Sequence, residues 1–286
     1  MILPIVTDAA NAIRWTDLGL SPIALDLGFF KLRWYALSYI TMIIVGWWYL
    51  AKLIEQPGAP MAKRHVDDFI FYATLGIILG GRVGYILFYK PEMLGDPVSM
   101  LKLWEGGMSL HGGFLGVIFA IWLFSRNHKL NMLRVCDYVA CTTPFGQFLV
   151  RIANFVNGEL WGRQTDAPWG MVFPGGGEIV RHPSQLYEAA GEGLVSMVVL
   201  WFLFWKTDSR YFPGRLVGTG LVLYGVARTS IELLREPDKG LENLSWGLTM
   251  GQTLSIPMII VGVYLIATSK ARRQRVESVA GTASVA

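Results

Sequence analysis

The chain is 286 residues long, 53% of them hydrophobic and only 16% charged, a composition far from that of an ordinary soluble domain. A net charge of +4 points to nucleic acid in a soluble protein, but in a chain this apolar the placement of the charges carries the information, and no nucleic-acid partner is expected. Two cysteines five residues apart, Cys136 and Cys141, and four scattered histidines give neither a disulfide framework nor metal-ligand spacing, so no metal and no cofactor is expected.

Apolar stretches long enough to cross about 30 Å of hydrocarbon, which takes roughly 20 residues, recur at 34–53, 68–89, 107–125, 135–155, 187–205, 214–234 and 250–268. Residues 1–30 are only modestly apolar and carry no basic stretch leading to a small-residue cleavage site. They read as an arm at the membrane interface rather than a cleaved signal peptide. The first span opens on "LRWYALSY" (32–39), where Arg33, Trp34 and Tyr35 suit an interfacial anchor belt. The second carries "GIILGGRVG" (76–84). Its Gly76, Gly80 and Gly84, at four-residue steps, let helices approach closely in lipid; Arg82 either snorkels to an interface or pairs with an internal acid.

The third span starts at "SLHGGFLG" (109–116), with His111 followed by Gly112 and Gly113. A histidine in such a setting is an interhelical hydrogen bonder or a base, and the glycines leave room beside it for a bulky substrate. "LVRIANFVNGELWGR" (149–163) closes the fourth span; Arg151 and Asn154, three residues apart, share a helix face. The longest loop follows, about 156–186, rich in Gly and Trp, and is the expected external head. In the sixth span, "YGVARTSIELLREPD" (224–238) sets Tyr224, Arg228 and Glu232 at i, i+4 and i+8, with Arg235 one turn on. Such a stripe must face protein or water rather than lipid. The chain ends in a basic, small-residue tail, 271–286, expected to be disordered.

Thirteen of the 25 lysines and arginines, from Lys52 to Arg275, fall on one set of alternating loops, whereas the other set is diluted by acids such as Asp17, Asp26 and Asp166. Positive-inside logic then puts the C-terminus in the cytoplasm and the N-terminus and the head outside, with Trp104, Trp161, Trp169 and Trp246 at the outer boundary. The expectation is an all-α integral membrane protein of about seven transmembrane helices, residues 1–270 forming a single domain with a periplasmic head loop and an N-terminal interfacial arm. Three cations remain inside spans: Arg82, Arg151 and Arg228. At about 2.5–3.5 kcal/mol each they cost roughly 8–10 kcal/mol together, comparable to the net stability of a domain. They therefore need partners or a wet cavity, and guanidinium forks on Arg151 and Arg228 suit the oxygens of a phosphate.

"RWYALSY", "SLHGGFLG", "RIANFVNGELWG" and "YGVARTSIELLREPD", in this order across seven spans, resemble the prolipoprotein diacylglyceryl transferase family over about residues 20–268. The resemblance implies transfer of the diacylglyceryl group of phosphatidylglycerol to the lipobox cysteine of a prolipoprotein signal peptide, with release of glycerol 1-phosphate, in the bacterial inner membrane and among its lipids. It implies an essential histidine at His111, a lipid-binding arginine at Arg151 with Asn154, Glu159 and Gly162 in the same signature, an essential arginine and tyrosine at Arg228 and Tyr224, and the first-span tyrosine at Tyr35. Val150 and Ala36 stand where the family usually has glycine, a departure that bears on helix packing more than on chemistry. The thiol comes with the substrate, so only a base and stabilisation of the leaving phosphate are needed. His111 is the expected base; Asn154 can orient the phosphate, and Glu159 can hold an arginine or the histidine. A transporter would show repeat halves or broken helices, an intramembrane serine protease more than the proximity of Ser109 to His111, and a lipid-binding scaffold the same arginines without a reaction.

Overall fold

A computed structural model describes residues 12–103, 106–237 and 247–273. Trp104, Trp246, the first eleven residues of the arm and the tail beyond 273 lie outside the described residues. The chain is mostly helical, and every one of the seven apolar stretches holds a helix: α1 (Trp34–Ile54), α2 (His65–Tyr89), α4 (Leu110–Asn127), α5 (Met132–Asn157), the run α6 (Ser184–Glu188), π segment (Ala189–Val195) and α7 (Ser196–Lys206), α8 (Arg215–Ile231) and α9 (Met250–Thr268), with a short α3 (Pro97–Leu101) in a loop. Among the described residues, four runs are long and apolar enough to cross a membrane: Trp34–Ile54, His65–Tyr89, Ser184–Lys206 and Met250–Arg272. Helices α4, α5 and α8 fall outside that set: α8 is only 17 residues long, and polar side chains such as Gln147, Arg151 and Asn154 break up the apolar character of α5. Outward-facing Ile43, Ile44, Trp47 and Trp48 on α1 and Ile260, Val261 and Val263 on α9 give these helices the apolar exterior that hydrocarbon requires.

The all-helical expectation is corrected by two small sheets. β1 (Ile13–Arg14) runs parallel to β4 (Met171–Val172), which pairs antiparallel with β5 (Val180–Arg181), while β2 (Ile23–Asp26) and β3 (Lys31–Arg33) form a hairpin. Strands of two to four residues are too short to leave a period-two pattern in a sequence. The three-stranded sheet is sealed by Trp15, which packs with Met171 and Phe173 and donates its indole N–H to the Phe155 carbonyl at 2.7 Å. Across the same sheet Arg14 pairs with Glu178 at 2.6 Å, holding that carboxyl below its ordinary range.

The described residues divide into two compact units, one made of the chain up to Gly46 together with the stretch from Val139 onward, the other of Trp47–Tyr138. In the latter, α2 and α4 meet glycine to glycine. A Cβ at Gly80 or Gly84 would overlap Gly112, and one at Gly76 would lie 2.5 Å from the Gly116 carbonyl oxygen. The space beside His111 at Gly112 is thus filled by helix α2, not left for substrate. Arg82 is buried rather than snorkelling, and its partners among the described residues are not acids. Its buried guanidinium donates to the carbonyls of Ser99, Met100, Lys102, Gly106 and Gly107 at 2.6–3.2 Å. Five carbonyl dipoles solvate one charge in place of water.

Within the first unit α8 packs on α9, with Gly218 facing Gly262 and Gly225 facing Ile259. Helix α5 contains Pro144, which deprives the Ala140 carbonyl of its amide partner; the Thr143 hydroxyl donates to that carbonyl at 3.1 Å and keeps it satisfied. The helix thereby continues to Asn157, with Gln147, Arg151 and Asn154 one turn apart on one face.

Candidate functional site

Several elements of the first unit bring ionisable side chains together. Helix α5 supplies Arg151, α8 supplies Arg228 and ends on the capping residue Glu232, α6 ends on Glu188, and the π segment supplies Glu192. π-turns within α-helices recur at functional sites. Glu188 Oε2 lies 3.4 Å from Arg151 Nη1 and its Oε1 accepts from Arg228 Nη1 at 2.6 Å. Glu192 Oε2 accepts from Arg151 Nη2 at 3.3 Å, and its Oε1 lies 3.8 Å from Arg228 Nη1. Two guanidiniums and two carboxylates therefore alternate around a closed ring. Gln147 Nε2 donates to Glu192 at 2.6 Å, Glu232 lies 2.9 Å from Arg228, and Arg235 Nε lies 3.8 Å from Glu188.

Both ring carboxylates are wholly inaccessible, and the two arginine side chains are only 12–13% exposed. An isolated charge in that setting costs several kcal/mol; three arginines against three glutamates bring the cluster to formal neutrality. Arg151 and Arg228 thus have internal acids as partners. Tyr224, one turn before Arg228, lies within electrostatic reach of Glu192, Arg228, Arg151 and Glu188. Tyr35, at the start of α1, is within reach of Glu159 and Arg151, and its hydroxyl lies 3.3 Å from that of Tyr39.

The rest of the signature builds the exit from α5. Asn154 Nδ2 and Asn157 Nδ2 both donate to Glu159 Oε1, at 2.9 and 3.0 Å, so Glu159 is held by two amides rather than holding an arginine or a histidine. The intervening turn needs Gly158 at φ 68° and forces Leu160 to φ 57°, a conformation uncommon for a residue with a side chain. The Glu159 backbone carbonyl accepts from Gln185 Nε2 at 2.6 Å, and that of Leu160 from the Ser184 hydroxyl at 3.0 Å. Both donors sit on α6, so this turn is tied to the helix that ends in Glu188.

Gly162 is a packing position. Its amide donates to the His182 carbonyl at 2.8 Å, and a Cβ there would come within 2.5–2.8 Å of Leu234 and His182. Next to it, the Arg163 amide and guanidinium donate to the carbonyls of Leu234 and Arg235 at 2.8 and 2.9 Å. Arg181 stacks 4.1 Å over the Trp161 ring and reaches the Gly162 carbonyl and Glu236, each at 3.2 Å. The signature thereby grips the end of α8 and, with it, the backbone of Arg235. Beside this grip, burial pushes the His182 imidazole below its ordinary pKa.

His111 belongs to the other unit. It is exposed in the first turn of α4, whose N-cap Ser109 accepts from the Gly112 amide at 3.2 Å, and the Ser109 amide donates to the Gly81 carbonyl at 2.9 Å. The structure thus groups Arg151, Arg228 and Tyr224, joins Asn154 to Glu159, assigns Gly162 to packing, and sets His111 on a separate helix start. Among the described residues, no group of three or more His, Cys, Asp or Glu side chains could hold a metal ion.

The sequence reading missed Glu188, Glu192 and Gln147. The signal was present: "YEAAGEG" places two carboxylates four apart inside an apolar span, as costly in lipid as the arginines. Counting intramembrane acids against intramembrane cations would have paired them.

The family model described as prolipoprotein diacylglyceryl transferase matches residues 22–268. Similar proteins carrying the name phosphatidylglycerol–prolipoprotein diacylglyceryl transferase include one from Zymomonas mobilis, 52% identical over 92% of this chain and 95% of its own length. One from Erythrobacter litoralis is 52% identical over 93% of this chain and 95% of its own, and one from Paramagnetospirillum magneticum is 50% identical over 87% and 93%.

Proposed function

The chain belongs to the prolipoprotein diacylglyceryl transferase family, and on that footing we propose that it transfers the diacylglyceryl group of phosphatidylglycerol to the lipobox cysteine thiol of prolipoprotein signal peptides. The sulfur forms a bond to glycerol C3 as the C3–O bond to phosphate breaks, so the products are a thioether and glycerol 1-phosphate. The reaction is the first step of bacterial lipoprotein maturation.

The observation that carries this reading is the ring of Arg151, Glu188, Arg228 and Glu192. Two guanidiniums close enough to share two carboxylates are close enough to share one phosphate, and the charge that develops on the leaving phosphate falls between them. In this reading Arg151 and Arg228 hold the phosphate, Tyr224 and Tyr35 stand beside them, Asn154 and Glu159 set the end of α5, Gly162 ties that end to α8, and His111 takes the thiol proton. A single integral domain of seven spans, residues 1–270, sits in the bacterial inner membrane. The N-terminus and the head, about 156–186, face the periplasm, and the tail, 271–286, faces the cytoplasm.

The test is purified protein with phosphatidylglycerol and a lipobox peptide, followed by mass spectrometry. The expected result is a peptide heavier by one diacylglyceryl group, with Arg228→Gln giving none. A protein that binds the lipid yet leaves the peptide mass unchanged is a lipid-binding scaffold instead.

A further inference from the structure

Glu188 and Glu192 are not held alike. Glu188 is drawn to three guanidiniums, those of Arg228, Arg151 and Arg235, at 2.6, 3.4 and 3.8 Å. Glu192 has its firmest bond, 2.6 Å, with the neutral amide of Gln147, and reaches Arg151 and Arg228 only at 3.3 and 3.8 Å. Each carboxylate keeps one buried oxygen without a hydrogen bond among the described residues, Glu188 Oε2 and Glu192 Oε1, so the difference between them lies in the number and closeness of their guanidinium partners.

A phosphate gripped by both Arg151 and Arg228 must take the place of a carboxylate that now spans them, and Glu192 is the one less firmly tied. Once displaced it has nowhere wet to go, because its side chain is wholly inaccessible. The cluster, neutral at rest, would then be net negative by one with the phosphodiester in place and would hold the displaced carboxylate beside it, and two anions side by side at low dielectric do not both stay ionised. The groups facing Glu192 are Arg151 and Gln147 from α5, Glu188 from α6, and Tyr224 and Arg228 from α8. The guanidiniums and the phenol are already protonated at neutral pH and the amide does not titrate. Glu188 keeps Arg235. We propose that Glu192 is the exchangeable counter-anion of the Arg151–Arg228 pair, and that binding of a phosphodiester headgroup is coupled to uptake of one solvent proton by its carboxylate. The inference rests on the reading that these two arginines hold the phosphate.

Isothermal titration of the full-length protein in detergent micelles with phosphatidylglycerol, repeated in buffers of different ionisation enthalpy, counts the protons taken up. The expected result is about one per lipid for the wild type and none for Glu192→Gln, with wild-type affinity falling by up to about tenfold per pH unit on the alkaline side, the slope of a one-proton linkage. No uptake by the wild type overturns the proposal, as does a Glu192→Gln protein that still takes up the proton. The wild-type count stands even where that variant fails to fold. Arg151→Gln separates the two levels. Loss of phosphatidylglycerol binding there, with no proton taken up by the wild type, overturns the Glu192 proposal alone, whereas wild-type affinity in Arg151→Gln overturns the phosphate-holding reading beneath it.

Discussion

Arg228 Nη1 donates to Glu188 Oε1 at 2.6 Å, with the carboxylate wholly inaccessible and the arginine almost so. Removing one member of such a buried pair leaves the other uncompensated, typically at a cost of about 3–5 kcal/mol. Glu188→Ala also withdraws a counter-charge from Arg151 and Arg235, which lie 3.4 and 3.8 Å from it. The variant is expected to unfold well below the wild type on heating in detergent, and Glu188→Gln, which keeps a hydrogen-bond acceptor, to lose less. Unfolding temperatures within a degree of wild type for both would mean that the ring does not depend on this carboxylate.

Arg151 directs its two terminal nitrogens to two different carboxylates, at 3.4 and 3.3 Å. Lysine carries the same charge on a single point and cannot divide it in this way. Arg151→Lys is expected to stay folded yet lose roughly 10²-fold or more in turnover, the scale for loss of a preorganised donor to developing charge. Near-normal turnover would reduce Arg151 to a general source of positive potential.

These two side chains also mark the limit of what the sequence reveals. Arg151 and Arg228 stand out because a cation in an apolar run is anomalous on sight, and their helices follow from length and hydropathy. Glu188 and Glu192 were equally anomalous, but only their meeting with two arginines across three helices gives them meaning, and that juxtaposition is tertiary. The π-turn that sets Glu192 after Glu188 leaves no periodic trace. Gly162 reads as a binding-loop glycine until the backbone of Leu234 and His182 is seen against it. Arg82 read as a cation that snorkels or pairs with an acid, whereas its partners among the described residues are five backbone carbonyls, groups every residue has and no side-chain pattern announces.

Gly80 and Gly113 offer a contrast within one helix pair. A Cβ at Gly80 collides with Gly112 backbone, which cannot rotate away, while one at Gly113 meets its nearest neighbour, the Ile77 carbonyl oxygen, at 3.6 Å, an ordinary contact. Overpacking of this kind costs about 1–3 kcal/mol or more. Gly80→Ala should therefore lower the yield of folded protein and its unfolding temperature, and Gly113→Ala should leave both near wild type. Equal tolerance of the two would argue against so close a contact of α2 with α4.

Asp166 is exposed in the stretch between α5 and α6, and the loop-charge argument puts that stretch in the periplasm. With Cys136 and Cys141, the two cysteines of α5, replaced by alanine, Asp166→Cys should react with a membrane-impermeant maleimide added to intact cells whose outer membrane has been permeabilised. Reaction only after the inner membrane is broken would reverse the orientation.

His111, exposed at the start of α4, is the proposed acceptor of the substrate thiol proton. A free cysteine thiol has a pKa of about 8.5 and is only a few per cent thiolate at neutral pH, so a base that withdraws the proton raises the reactive fraction. His111→Gln still hydrogen-bonds but takes no proton. At pH 7 it is expected to bind phosphatidylglycerol as the wild type does while turnover falls by about 10²–10⁴-fold, the usual contribution of a positioned acid or base. The sign of the pH dependence follows from the thiol: as pH rises toward 8.5 more acceptor arrives already deprotonated, so the deficit of the variant should shrink. Turnover of His111→Gln and of the wild type measured from pH 6.5 to 9 checks this. A deficit that is constant across that range, or substantial activity at neutral pH, would make His111 a structural residue of the α4 start and move the search for the base to Tyr35, Tyr224 and Glu159.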